Sequence, residues 1–246
     1  MGLREEFQKS GEWLFRRRSY LPLLLIGLFL LAFDNFRYPY ESHLLDNLWE
    51  ILCLIISLTG LGIRVLTIGY APRGTSGRNT KGQVAEVLNT TGAYSLLRHP
   101  LYLGNFLIWV GISLFIRVWW FSFLIILIWW IYYERIMFAE EDFLQKKFGE
   151  AFTAWADKTP AFFPSFSNWT QPELPFSFKT VVRREYTTFF AIIGVFSLLE
   201  IIGEYFLHGR PGMDLMWQII FGGGLLVFLI VRIIKKQTSW LEVAGR

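Results

Sequence analysis

"LYLGNFLIWVGISLFIRVWWFSFLIILIWWIYY", residues 101–133, carries a single charge, Arg117, in 33 positions. A helix crosses the hydrocarbon of a bilayer in about 20 residues. Such a stretch divides at its one cation into two apolar helices, 101–116 and 118–133, folded as a tight hairpin. Four further apolar runs lie around it, at 20–36, 48–70, 187–207 and 213–234. Pro22 suits the first helical turn of the earliest run. The whole chain of 246 residues is 53% hydrophobic and 18% aromatic, with a mean hydropathy of +0.38. Soluble domains of this length are rarely so apolar. The expected fold class is therefore all-α: a polytopic membrane protein of about six transmembrane helices, with a cytoplasmic amphipathic helix.

Basic residues set the expected orientation. Twenty of the 24 Lys and Arg fall in the N-terminal segment, the loops 72–100 and 134–186, and the C-terminal tail. The opposite side receives only Arg37, Arg117 and Arg210, and Arg64 lies inside a run. Both termini and both long loops are expected in the cytoplasm. No small-residue cleavage site follows the first apolar run, so no cleavable signal peptide is expected. The single cysteine, Cys53, allows no intrachain disulfide and suggests no metal site. Organisation is expected in three parts: N-terminal transmembrane helices over 1–71, a core with the helical hairpin over 72–165, and a linker with two transmembrane helices over 166–246.

Chemistry is expected on the inner face. In "ERIMFAEEDFLQKKFGEAFTAWADK", 134–158, Met137, Leu144, Phe148, Phe152 and Trp155 recur at helical spacing. That pattern reads as an amphipathic helix, either lying on the membrane or continuing the fourth span. Glu140 and Glu141 fall on or beside its apolar face, whereas Asp142, Lys146 and Glu150 fall away from it. A carboxylate turned toward apolar surroundings is costly unless it is paired or functional. A structural ion pair and a binding role are both compatible with the pattern.

The residues before the hairpin carry the second signal. Pro100 suits the first position of a helix and holds His99 extended. Arg98 and His99 then sit beside the positive end of that helix, a seat for a small anion. Tyr102 and Asn105 follow within a turn and a half. An arginine snorkelling to lipid phosphate fits the same residues. Of three histidines, His43 and His208 are expected on the outer side, which leaves His99 as the imidazole able to meet the acids.

Arg98-His99-Pro100-Leu101-Tyr102-Leu103-Gly104, followed by Glu140-Glu141-Asp142-Phe143-Leu144, Phe148-Gly149 and Pro160/Pro164, resembles the superfamily of isoprenylcysteine carboxyl methyltransferases and phospholipid methyltransferases. The resemblance covers roughly residues 75–165. Family members often have tyrosines after the Phe-Gly pair; here Phe152 and Trp155 stand there. The resemblance implies a methyltransferase using S-adenosylmethionine, with Arg98 and His99 as catalytic candidates. It implies that Arg98, His99, Tyr102, Gly104, Asn105, Glu140, Glu141 and Leu144 bind the donor, its carboxylate at Arg98 and His99 and its amine or ribose at the acids. Leu144 and Phe148 would line an adenine slot.

An ionised phosphate or carboxylate acceptor needs no general base, whereas an ammonium must first lose a proton. The acids and His99 are already assigned to the donor, so O-methylation of an anionic lipid headgroup is expected. "RGTSGRNTKG", 73–82, mixes Arg73, Arg78 and Lys81 with glycines and hydroxyls suited to a phosphate, and Arg64 can reach inward from its span. The stretch 76–105 resembles bacterial members that methylate a lipid A phosphate, placing the protein in the bacterial inner membrane. Carboxyl methylation of an isoprenylcysteine, N-methylation of a phospholipid amine, and a non-enzymatic lipid-binding module or small transporter are the alternatives. The expected partners are a membrane lipid and the bilayer, not a nucleic acid; the oligomeric state is open. Glu200 and Glu204, one turn apart in the fifth run, are expected to pack rather than to react.

Overall fold

A computed structural model describes residues 2–18, 24–34, 36, 42–72, 74–75, 83 and 85–246. The order of helices is α1 (Leu3–Arg17), α2 (Ile26–Phe33), α3 (His43–Tyr70), α4 (Ala93–Leu96), α5 (Pro100–Phe115), α6 (Trp119–Phe148), α7 (Glu150–Ala156), α8 (Phe178–His208) and α9 (Leu215–Gln237). No strand occurs among the described residues. Four helices, α3, α6, α8 and α9, are long and apolar enough to cross a membrane, and α5 is a shorter apolar helix. The protein is thus an all-helical polytopic membrane protein.

Local chemistry sets the helix ends. Ser42 caps α3 by accepting from the Leu45 N–H at 3.5 Å, and Ser177 caps α8 by accepting from the Thr180 N–H at 3.3 Å. The Ser177 cap starts α8 nine residues before its apolar run, so the basic residues Lys179, Arg183 and Arg184 ride on a helix rather than on a loop. Gly209, at φ 69°, closes α8 in the left-handed conformation. α6 does not stop where its apolar run ends at Tyr133. It continues to Phe148, and Gly149, at φ 54°, breaks it before α7. Of the two forms expected for 134–158, the structure adopts the continuation of the fourth span. Its 30 residues extend about 45 Å, well beyond the roughly 30 Å of a hydrocarbon core.

α3 and α5 pack backbone to backbone through small residues. A Cβ on Gly104 would lie 2.6 Å from Arg64 Cγ and 2.7 Å from the Gly60 carbonyl, and Gly111 faces Ser57. The Ser57 hydroxyl donates to the Ile108 carbonyl across this crossing at 3.1 Å. The main core lies toward the Arg117 end and includes Phe33, Cys53, Phe115, Phe121, Phe196 and Trp217. A smaller cluster of Trp129, Met137 and Phe162 lies toward the Arg98 end.

Arg117 makes the turn between α5 and α6 at φ 62°. A cation this close to the apolar bundle is costly unless paired. It forms an ion pair with Asp46 and another with Glu50 at 3.3 Å, and Glu50 also accepts from the Trp217 indole N–H at 2.7 Å. The buried Glu200 carboxyl lies close enough to Glu50 to act on it. This knot ties α3, the hairpin, α8 and α9 together, and puts Glu200 in helix packing.

The N-terminal helix α1, for which the sequence pattern predicted nothing, lies antiparallel along α6. Arg4 pairs with Asp142 at 3.2 Å, the Arg135 guanidinium donates to the Ser10 hydroxyl at 3.0 Å, and the Tyr132 hydroxyl donates to the Leu14 carbonyl at 3.3 Å. Asp142 was expected on the exposed side of its helix. It is buried, because Arg4 and the Lys146 one turn along both pair with it.

Candidate functional site

The segment before α5 is held by backbone pairing with the linker after α7. Arg98 N–H donates to the Pro160 carbonyl at 2.9 Å, His99 N–H to the Ala161 carbonyl at 3.2 Å, and Ser165 N–H to the Leu96 carbonyl at 2.9 Å. Pro100 then begins α5 with His99 as the N-cap residue. The two motifs, some forty residues apart in sequence, meet at this point.

Glu141 receives three hydrogen bonds. Arg98 Nε donates to its Oε1 at 2.8 Å and Arg98 Nη2 to its Oε2 at 3.2 Å. His99 Nε2 lies 2.8 Å from Oε1, and because a carboxylate only accepts, Nε2 carries the proton. Glu140, beside it, accepts from the Tyr102 hydroxyl at 2.9 Å. The His99 ring is buried and stacks on Tyr102, their centroids 5.5 Å apart. Tyr102 in turn packs on Tyr133.

Arg98 has a further task. Its Nη1 donates to the carbonyls of Ala156 at 2.8 Å and Thr159 at 2.9 Å. Four hydrogen bonds thus engage a guanidinium that the sequence reading assigned to an anion. The planar fork suits a carboxylate on one edge and two carbonyls on the other. Arg98 staples the α7–linker corner to α6 and fixes Glu141.

A second group borders the same space. Arg64, from within α3, donates Nε and Nη2 to the two oxygens of Glu185 on α8, both at 2.8 Å, and Nη1 to Asn105 Oδ1 at 2.7 Å. Glu185 is buried. Between the two groups is a cavity of about 260 Å³. Its wall includes Arg98, His99, Tyr102, Asn105, Glu140, Leu144 and Arg64 from the sequence prediction. It also includes Arg18 at the end of α1, Tyr94, Tyr133, Trp155, Arg184 and Glu185, which sequence reasoning missed. Arg18 and Arg184 had been counted only as inner-face charge. Tyr94 is partly buried, and desolvation together with the nearby Glu140 charge pushes its phenol pKa up.

Three predicted residues are elsewhere. Gly104 points at α3 and serves the helix crossing, because a side chain there would strike Arg64 and Gly60. Phe148 does not border the cavity, where Phe143 takes a place beside Leu144. Glu141 stands behind Arg98 and His99 rather than in the wall. Arg73, Arg78 and Lys81 lie outside the described residues. Among the described residues, no three His, Cys, Asp or Glu side chains are grouped to hold a metal ion.

Residues 51–151 match the model of the phospholipid methyltransferase family, part of the isoprenylcysteine carboxyl methyltransferase superfamily. That segment contains both motifs and Arg64. The chain is also similar to the nickel-cobalt-cadmium resistance protein NccN of Alcaligenes xylosoxydans xylosoxydans, at 32% identity over 50% of this chain and 55% of that protein. It is 33% identical to the cobalt-zinc-cadmium resistance protein CzcN of Cupriavidus metallidurans, over 50% of this chain and 54% of that one. The chain thus spans about half the length of the curated relatives it matches. No solved structure matches it.

Proposed function

We propose, on the premise that residues 51–151 are a phospholipid methyltransferase family segment, that the protein methylates an anionic lipid headgroup with S-adenosylmethionine. The favoured acceptor is a phosphate oxygen such as that of lipid A, reached from the cytoplasmic side of a bacterial inner membrane. The observation that carries the reading is the convergence of His99, Tyr102 and Glu140 with several arginines on one cavity.

The residues suit the donor's chemistry. Glu140, whose side chain is one-third exposed (33%), would accept from its amino group or ribose hydroxyls. Tyr102 and Tyr133 offer aromatic faces favourable to a sulfonium. Leu144, Phe143 and Trp155 would line a flat slot for adenine. When bound, S-adenosylmethionine would supply an electrophilic methyl carbon to the acceptor oxygen, the C–S electron pair returning to sulfur.

The chain's own contribution is alignment and exclusion of water. Arg98 acts as a positioning residue, holding Glu141, which orients the His99 ring against Tyr102. An ionised phosphate reacts without losing a proton, so no residue need serve as a base. An ammonium acceptor would require one, and Glu140 and Glu141 both already hold hydrogen-bond donors. Arg64, held by Glu185 and Asn105, borders the same cavity from the matched segment.

The test is direct. The purified protein in lipid nanodiscs is incubated with methyl-labelled donor and, in separate samples, lipid A, phosphatidic acid, phosphatidylethanolamine and a prenylated cysteine. Label is expected on the phosphate lipids. Label confined to the amine or the prenylcysteine would move the acceptor, and a protein that binds no donor would end the methyltransferase reading.

A further inference from the structure

We infer that Arg18 and Arg184, both outside the family-matched segment, form beside the Arg64–Glu185 pair a recognition site for the phosphate of a lipid headgroup. This rests on the methyltransferase reading for its chemistry and names the acceptor side of the same cavity. Arg18 arrives from α1, Arg64 from α3 and Arg184 from α8, and all three border the cavity. Glu140, Arg184 and Arg64 all lie close enough to Tyr94 to act electrostatically on its hydroxyl. The same cavity carries Glu140 and the His99–Tyr102 stack, and Arg18 lies close enough to Tyr102 and Tyr133 to act on them electrostatically. The cavity therefore combines an acid and aromatic rings suited to a cationic donor with arginines suited to an anion.

Depth favours a lipid over a soluble phosphate. α1 runs from Asp142 toward the membrane and reaches Tyr132 at Leu14. Ten residues of α6 separate those contacts, about 15 Å of helix. Tyr132 and Tyr133 end the apolar run of α6, where aromatic residues mark the interface with lipid headgroups. Arg18, one turn beyond Leu14, thus enters the cavity at headgroup level. Its guanidinium stacks on Phe15, 4.0 Å from the ring centroid, which keeps it beside another wall residue. Arg184 precedes Glu185, the buried partner of Arg64, so α8 places a second cation next to the first. A phosphate monoester bears enough charge and oxygen acceptors to engage several guanidinium groups at once.

Neighbouring Arg16 gives an internal control. It belongs to the same basic run, is largely exposed and pairs with Glu12. Mere attraction of α1 to anionic membrane would depend on Arg16 as much as on Arg18.

The full chain is reconstituted in phosphatidylcholine nanodiscs with or without phosphatidic acid, and Arg18→Gln, Arg184→Gln, Arg184→Lys and Arg16→Gln are compared. Donor affinity, binding of phosphatidic acid by native mass spectrometry, and the apparent KM for phosphatidic acid are read separately. Each glutamine variant in the cavity should weaken phosphatidic acid binding and raise its KM about tenfold or more, the scale of one charge-assisted hydrogen bond. Donor affinity should stay within about twofold, Arg184→Lys should recover part of the loss, and Arg16→Gln should change little. Glycerol 3-phosphate should bind far more weakly than phosphatidic acid.

Equal effects from Arg16→Gln, an unchanged phosphatidic acid affinity in both cavity variants, or glycerol 3-phosphate binding as tightly as the lipid would overturn the inference. A wild-type protein that holds phosphatidic acid through Arg18 and Arg184 but takes no donor would sink the methyltransferase reading and leave the phosphate site standing.

Discussion

Glu141→Gln changes one oxygen to an amide and keeps the side chain's size, so it isolates the charge at the centre of the site. In the native protein Glu141 accepts from Arg98 twice, at 2.8 and 3.2 Å, and from His99 Nε2 at 2.8 Å. Glutamine retains one acceptor oxygen and turns an N–H₂ toward a donor on Arg98 or His99. At least one bond is lost outright and another loses its charge assistance. Hydrogen bonds to charged groups are worth about 1.5–3 kcal/mol each. Partial exposure of the pair, 18% for Arg98 and 25% for Glu141, reduces that by solvent screening. The expected net loss is about 2 kcal/mol, close to thirtyfold in an equilibrium constant. Arg98 keeps its two carbonyl acceptors, so the loss should fall on the order of His99 and Tyr102 and not on the whole fold. Titration calorimetry of S-adenosylmethionine binding should show affinity weaker by roughly ten- to hundredfold, with the detergent melting temperature lowered only slightly. Donor affinity within twofold of wild type would refute the idea that Glu141 organises the site.

Tyr102→Phe removes the hydroxyl that donates to Glu140 at 2.9 Å; donor affinity should fall by about five- to tenfold, the scale of one such bond, as read by the same titration. Gly104→Ala puts a Cβ 2.7 Å from the Gly60 carbonyl, and overpacking of this kind costs about 1–3 kcal/mol, which thermal unfolding in detergent should register. Trp217→Phe strips Glu50 of a buried donor; it should lower stability by about 1–3 kcal/mol while leaving donor affinity unchanged, since the knot lies at the other end of the bundle. For topology, Cys53 is buried and gives little background. A cysteine at Arg210 should react with a membrane-impermeant maleimide from outside the cell, and one at Ser239 only after permeabilisation; the reverse pattern would invert the orientation.

Much of the architecture could be read from hydropathy, because a bilayer demands long uninterrupted apolar helices and the chain provides them. Arg98 to Tyr102 and Glu140–Glu141 stood out for a related reason: polar residues at the border of apolar runs need partners. Asp46 and Glu50 escaped notice although they obey that rule, since their partners Arg117 and Trp217 are 67 and more residues away in sequence. α1 escaped too. Its stability comes from α6, against which Gly11 allows backbone approach, and amphipathic periodicity alone does not reveal such a surface.

By itself, then, the sequence determined the helical membrane class, the hairpin broken at Arg117 and the identity of the two motifs, since length and polarity are local properties. Tertiary structure alone decided what each polar group does. Only packing reveals that Arg98 is saturated by Glu141 and two carbonyls, that Gly104 faces α3, and that Arg18 and Arg184 reach one cavity. The energy of a charge depends on which distant segment supplies its partner, and one-dimensional spacing does not carry that information.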